Sequence, residues 1–424
     1  MFTRFIAASA VTFMLCSLAR GDDFLLSGAG ARTAGTGGAW IPSSTSALGA
    51  MAVNPAGLAL LSGPVLDFGA YGAFATGQLL NSANTNGKLS SAGVVPLGAF
   101  ATPLGTSRLT IGIAVLPQLL SAANWRYTDP PGGAGGVSYG SLSNKSDITV
   151  LRTAAGIGLN LGPRLQIGAT AGAVYNSNTL ETAYVFQTNP ALGGLKTLLD
   201  LHTNGIGWNT SVGALVHVSK KAEFGVSYKS ITKVRSTGDA TGNAGIQFAA
   251  IGLGAARPDF RYDAEVDNVF PQQVTTNIVW SQNDRLRFVA QGEWVNWNRA
   301  FTSLPVILTN GNNTDINSLL QTSGIKDSIP LEWKDQFVER VGIERNWLES
   351  ATLRAGYAHQ NDPVPSSTLL PLTAAITRDT LTAGFGLQLG RGHIDISYAI
   401  DPTVHQSVAR APSSPVNSAV AGSA

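Results

Sequence analysis

From Pro64 onward the chain alternates apolar and polar residues with a period of two, segment after segment. In RDTLTAGFGLQLG, Leu381, Ala383, Phe385, Leu387 and Leu389 share one face, while Thr380, Thr382, Gly384, Gly386 and Gln388 share the other. In RLRFVAQGEWVNW, Leu286, Phe288, Ala290 and Trp294 alternate with Arg285, Arg287, Gln291 and Glu293. Such alternation marks strands whose two faces meet different surroundings, and a slip of one residue would reverse both faces. The pattern predicts strands near 64–78, 90–103, 107–118, 146–161, 164–186, 206–218, 223–240, 258–281, 285–301, 332–347, 349–361, 377–390 and 392–402. Short turns such as GPR at Gly162, SKKA at Ser219, QNDR at Gln282 and GRG at Gly390 alternate with longer loops. Long strands, short turns at one end and long loops at the other describe a transmembrane antiparallel β-barrel. A soluble sandwich would have shorter strands and a polar outer face. Trp208, Trp280, Trp294, Trp297 and Trp347 fall towards strand ends, where an aromatic girdle is expected.

Composition agrees. Charged residues are 13% of the 424, against about a quarter in soluble domains. After the N-terminus no apolar run is long enough for a spanning helix. A net charge of +2 gives no footprint for nucleic acid. The first residues, MFTRFIAASAVTFMLCSLARG, combine Arg4, an apolar stretch from Phe5 to Leu18, and small residues at Ala19 and Gly21. They predict a secretory signal peptide over 1–21, with an N-terminal anchor helix as the alternative. Cys16 is the only cysteine, so the mature chain would hold no disulfide, thiolate metal site or cysteine nucleophile. His217 and His359 have no metal-ligand pattern around them, and no Gly-x-Ser-x-Gly elbow occurs. Neither an enzyme nor a cofactor or metal is expected.

One segment does not fit the alternation. GGAWIPSSTSALGAMAVNPAGLALLSGP, Gly37 to Pro64, is uncharged and rich in small residues, and its Pro and Gly residues break any regular element. Together with the preceding residues from Phe24, and ending in Asn54-Pro55-Ala56, it resembles the N-terminal hatch of the FadL-type outer-membrane transporters. FGVSYKS at Phe224, FPQQVTTNIVW, EWVNWNRAF and LRAGYAHQNDPVPSSTLLP follow in that family's order. The resemblance implies a barrel of about fourteen strands over 64–402, plugged by a hatch over 22–63. It implies passive uptake of long-chain fatty acids or other hydrophobic compounds across the bacterial outer membrane, by a monomer surrounded by lipid and lipopolysaccharide. Aromatic hydrocarbon uptake and a structural or adhesive barrel are the alternatives. The end of the chain departs from the family: Pro402, Pro412 and Pro415 interrupt residues 401–424, no closing aromatic strand is evident, and 403–424 reads as an irregular tail or an atypical last strand.

The resemblance also assigns candidate residues. A capture groove would use Leu192, Leu195, Leu198 and Leu199, at helical spacing in one loop, and Phe248 in another. Phe24 stands at the place of the hatch ring that helps close the interior pocket. A lateral exit needs a break in the third strand, for which Gly112 and Pro117 are candidates; the other reading of Pro117 is that it ends the strand at the rim. Alternation turns Arg152, Arg287, Arg340, Arg354, Glu293 and Glu344 to the interior. Arg152 and Arg354 are candidates for holding a ligand carboxylate, with an ion-pair network bracing plug and wall as the other reading.

Overall fold

The structure, a computed structural model, describes residues 8–14, 29–105, 108–372 and 377–406. Eighteen strands form one sheet among these residues. They are β1 (Ala8–Met14), β2 (Val65–Asn81), β3 (Asn84–Pro103), β4 (Leu109–Thr128), β5 (Ser141–Asn160), β6 (Leu165–Val185) and β7 (Lys196–His217). Next come β8 (Ala222–Lys229), β9 (Thr232–Asn243), β10 (Asp259–Phe270), β11 (Gln273–Asn283), β12 (Leu286–Val295) and β13 (Ser303–Thr309). The last are β14 (Ile325–Pro330), β15 (Gln336–Asn346), β16 (Ala351–Gln360), β17 (Asp379–Leu389) and β18 (Gly392–Ile400). Five short helices accompany them: α1 (Gly30–Ala34), α2 (Leu48–Ala52), α3 (Gly245–Ala250), α4 (Trp297–Ala300) and α5 (Thr314–Leu320).

Neighbouring strands pair antiparallel, apart from β1, which runs parallel to both β18 and β2. Each of the thirteen predicted segments corresponds to a strand or a broken strand. Two are broken, 223–240 into β8 and β9 and 258–281 into β10 and β11, because 230–231 and 271–272 leave the ladder; β13 and β14 lie outside the predicted segments, set off from β12 and β15 by the irregular stretches 296–302 and 331–335. The sheet therefore divides. At the short-turn end β7 pairs β8, β8 pairs β11 and β12 pairs β15; at the loop end β7 pairs β9, β9 pairs β10 and β10 pairs β13. Of the segment expected to be a signal peptide, only 8–14 are described. The tail beyond 406 lies outside the described residues.

The outer face is apolar. Ile113, Val115, Ile157, Val212, Ile278 and Leu381 point away from the protein and stay exposed. So large an apolar surface belongs in lipid. No helix among the described residues is long and apolar enough to cross a membrane. Trp208, Trp280 and Trp347 are exposed as a girdle requires, but Trp297 is wholly buried. The break after Val295 turns it inward, which corrects its placement in the girdle.

Segment 29–63 lies against the opposite, inner face. Asp67 Oδ2 on β2 accepts from Ala47 N at 2.6 Å and Leu48 N at 2.9 Å. Ser227 Oγ on β8 donates to Val53 O at 2.7 Å, and Asn277 Nδ2 on β11 to Trp40 O at 3.1 Å. Gln291 Oε1 on β12 accepts from Trp40 N at 2.9 Å, and Thr382 Oγ1 on β17 from Gly37 N at 2.8 Å. Partners spread from β2 to β17 on one face mean that the sheet curves around the segment. Buried carbonyls and amides that form no regular element are thereby satisfied by wall side chains, as burial requires.

Candidate functional site

The Asn54-Pro55-Ala56 turn is seated by its wall. Asn54 Oδ1 accepts from Ala56 N at 3.1 Å and caps a 3-10 turn over Pro55–Leu60. Its Nδ2 donates to Ala214 O at 3.0 Å on β7 and Val226 O at 3.2 Å on β8. Gly213 on β7 and Gly168 on β6 make this approach possible: a Cβ on Gly213 would collide with Asn54 Oδ1, and one on Gly168 with the Pro55 carbonyl. The turn was legible in the sequence, but the two glycines that receive it were not, since they sit on strands far along the chain.

A buried ion network ties the same segment to the short-turn end of the wall. Glu344 on β15, with 3% side-chain exposure, accepts from Arg354 Nε at 2.7 Å and meets Arg32 Nε at 3.3 Å. Arg287 Nη2 donates to its other oxygen, and Arg354 Nη1 to Asp395. Arg354 thus belongs to this bracing network. Arg340 on β15 donates to Gly37 O at 3.2 Å and lies 3.7 Å from Glu293. Arg152 on β5 has no acid at ion-pair distance among the described residues; it donates to Asn209 Oδ1 at 2.6 Å and Thr170 Oγ1 at 2.7 Å.

Two chambers occupy the interior. The lower one lies against segment 29–63 and is polar, lined by Arg152, Lys229, Glu293, Gln291, Gln336 and Arg340 among others. The upper one, near the loop end, is mainly apolar, with Ile148, Leu180, Leu201, Val266, Phe301 and Trp333 in its wall. Its charged lining residues are Lys196 and Asp129. They are spent on each other: Lys196 Nζ lies 2.6 Å from Asp129 Oδ1 and donates to Pro130 O at 2.8 Å.

The wall has a gap beside the lower chamber. β3 and β4 pair from Gly98↔Val115 to Pro103↔Thr110 and again at Leu89↔Trp125 and Lys88↔Arg126, with the residues between unpaired. On its other edge β4 stays paired with β5 through an irregularity between Pro117 and Leu119. Pro117 has no N–H for a ladder, which accounts for the shift there. Gly112 sits inside unbroken pairing, opposite Ala101 and Gly156. Leu116, Pro117 and Gln118, where β4 leaves β3, line the lower chamber.

A third recess, also apolar, lies at the loop end, between the β6–β7 loop, α3 and α5. Leu192, Leu195 and Phe248 line it. Leu198 and Leu199 do not, and the helix expected for these leucines is absent, because β7 begins at Lys196. Adjacent leucines on a strand face opposite ways, and Leu199 is buried. Sequence reasoning missed Ile316, Leu319 and Leu320 of α5, which share this recess. Their spacing and the Asn313 cap, which accepts from Asp315 N and Ile316 N, were the available signals. Phe24 lies outside the described residues. One metal-like group exists among the described residues: Glu181, Asp200 and His202, with ligand atoms within 4.8 Å of one another. It faces outward, and Lys145 Nζ lies 3.9 Å from Glu181.

Asp327 on β14 holds the β6–β7 loop across this end. Its carboxylate accepts from Tyr184 Oη at 2.6 Å, Gln187 N at 2.9 Å, Thr188 N at 2.6 Å and Thr188 Oγ1 at 2.9 Å. Burial acts to raise its pKa, but these donors outweigh burial and hold it below the usual carboxylate value. A depressed folded-state pKa contributes stability that is complete above the ordinary value of about 3.9 and is lost as pH falls through the folded value. Asp327→Asn is therefore expected to speed amide exchange over 186–189 by about tenfold at neutral pH. The native protein should show the same loosening only below about pH 3.9.

The family described as outer membrane protein transport protein (OMPP1/FadL/TodX) matches residues 22–412. No curated protein matches the chain. Among solved structures, the Pseudomonas putida toluene transporter TodX aligns with TM-score 0.69 and 20% identity, over 88% of this chain and 91% of that one. The Ralstonia pickettii toluene transporter TbuX gives 0.65 and 20%, over 86% and 90%. A Pseudomonas aeruginosa FadL homologue gives 0.63 and 15%, over 89% and 87%.

Proposed function

Since the chain belongs to the OMPP1/FadL/TodX family of outer-membrane transport proteins, which carry hydrophobic compounds, we propose that it passes uncharged hydrophobic molecules, monoaromatic hydrocarbons among them, passively through the outer membrane. In this reading the sheet closes as a barrel, segment 29–63 is the hatch that plugs its lumen, and the loop-end recess captures ligand. The upper chamber binds it, and the β3–β4 gap releases it sideways. The observation that carries the choice of ligand is the paired state of Lys196. All its near partners are Asp129 and backbone oxygens, so the apolar chamber offers an anionic head group no spare cation. A buried carboxylate without a partner is strongly disfavoured. TodX and TbuX, described as toluene transporters, point the same way.

A second reading, long-chain fatty acids, draws on the lower chamber. There Arg152 and Lys229 lack an acid at ion-pair distance among the described residues, so a carboxylate head would find two cations.

Equilibrium binding of toluene and oleate to purified protein distinguishes the two. The neutral reading expects saturable toluene binding that Leu304→Glu, in the wall of the upper chamber, abolishes. Oleate binding that is tighter than toluene binding and is lost in Arg152→Gln would establish the fatty-acid reading instead.

A further inference from the structure

Inward residues change character along the strands in a way that divides the lumen into layers. On β5, Arg152 faces the lower chamber, Val150 is wholly buried, and Ile148 lines the upper chamber. On the other side, Gln336 lines the lower chamber, Trp333 is 2% exposed, and Ile329 lines the upper one. The middle layer is one contiguous apolar cluster. It joins Leu119, Val150, Val174 and Val234 from one stretch of wall to Trp297, Phe301 and Trp333 from the other. The three rings interlock, with centroids 4.8 Å apart for Trp297–Phe301, 5.0 Å for Trp297–Trp333 and 4.9 Å for Phe301–Trp333. The lumen is thus crossed by a septum distinct from segment 29–63.

The septum stands between the ligand chamber and the exit. The upper chamber includes no residue from the unpaired stretches of β3 or β4, whereas the lower chamber includes Leu116, Pro117 and Gln118 at that gap. A ligand in the upper chamber must therefore pass the septum before it reaches the gap. Trp297 is one of the septum's two buried tryptophans and, unlike Trp333, does not line the upper chamber. It comes from the wall interruption 296–302, which lies outside the strand ladders and is tied only at its ends by backbone bonds, Asn296 N to Gln272 O at 3.1 Å and Trp333 N to Phe301 O at 3.0 Å. Between those ends side chains hold it: the Trp297 Nε1 donates to Gln336 Oε1 at 3.1 Å, and Asp335 Oδ1 accepts from Asn296 Nδ2 at 2.9 Å and Asn298 N at 3.2 Å. Such a segment can shift without breaking strand pairing, whereas a septum residue on an intact strand cannot.

Resting on the transport reading above, we propose that Trp297 is the barrier between the ligand chamber and the lateral exit, and that it sets both the rate and the size limit of passage. Removing the indole widens the passage most for bulky ligands, and a difference of this kind discriminates by about tenfold or more.

The test is flux of toluene and of the larger biphenyl into proteoliposomes, with toluene affinity measured in parallel on the same folded protein. Trp297→Ala is expected to leave toluene affinity within about threefold, raise toluene flux, and raise biphenyl flux about tenfold more than toluene flux. Gln336→Leu, which removes only the indole hydrogen bond, is expected to raise both fluxes less and covers the case in which the alanine variant does not assemble. Unchanged flux in both variants overturns the proposal, as does loss of toluene binding in folded Trp297→Ala, which would make Trp297 part of the binding site. Equal gains for both ligands overturn the size limit. Absence of toluene binding by the native protein overturns the transport reading itself, a separate failure.

Discussion

Glu344→Gln is expected to lower the stability of the folded protein by about 3–5 kcal/mol, the usual consequence of breaking a buried ion pair from one side. The carboxylate stands among Arg32, Arg287 and Arg354 with almost no solvent contact. Glutamine keeps the shape but removes the charge, leaving three guanidinium groups with one carboxylate, Asp395, which pairs with Arg354. Because Arg32 lies in segment 29–63 and its partners lie in the wall, the loss falls on the joint between them. The measurement is the denaturant midpoint of the folded barrel, together with protease cleavage within 29–63. The midpoint should drop and cleavage should appear. An unchanged midpoint would mean that the segment is held by packing and neutral hydrogen bonds alone.

The second large effect concerns the glycine on which the proline turn rests. Gly168→Val places a branched side chain where the Pro55 carbonyl now lies, and the neighbour there is backbone, which cannot rotate away. Relieving the collision displaces the 3-10 turn, and with it the bonds from Asn54 to β7 and β8. The strand itself should tolerate valine, a favoured strand residue. The expected outcome is an assembled barrel with steady ion conductance in planar bilayers, against little expected for the native protein. A non-conducting Gly168→Val barrel would show that the turn is not what seals the lumen.

Much of this architecture was legible in the sequence, because a wall between lipid and a polar interior imposes period-two alternation on every strand. What was missed has definite causes. Alternation carried the strand prediction from Arg285 through Phe301, but Asn296 leaves the extended region (φ −85°, ψ 66°) and turns Trp297 inward. A tryptophan near a strand end reads the same whether it meets lipid or lumen. The strands beyond that break, β13 and β14, are seven and six residues long and flank α5, too short to stand out as alternation. Leu192, Leu195, Leu198 and Leu199 suggested a helix because the first three repeat at intervals of three, while the strand that claims the last two is set by pairing with β6. The arginines were placed inside by alternation. Only the strand register shows that Arg354 faces Glu344 directly while Arg152 faces no acid. Chemistry assembled across strands is settled by register, which local sequence does not contain.

The account depends on an apolar chamber reached from the loop end and enclosed by a wall that wraps segment 29–63. An experimental structure of the protein purified from membranes and equilibrated with toluene tests this most directly. The account predicts ligand density among Ile148, Val266, Leu304 and Trp333, with residues 29–63 packed inside the sheet. Toluene found only on the outer face, or residues 29–63 lying outside the wall, would contradict it.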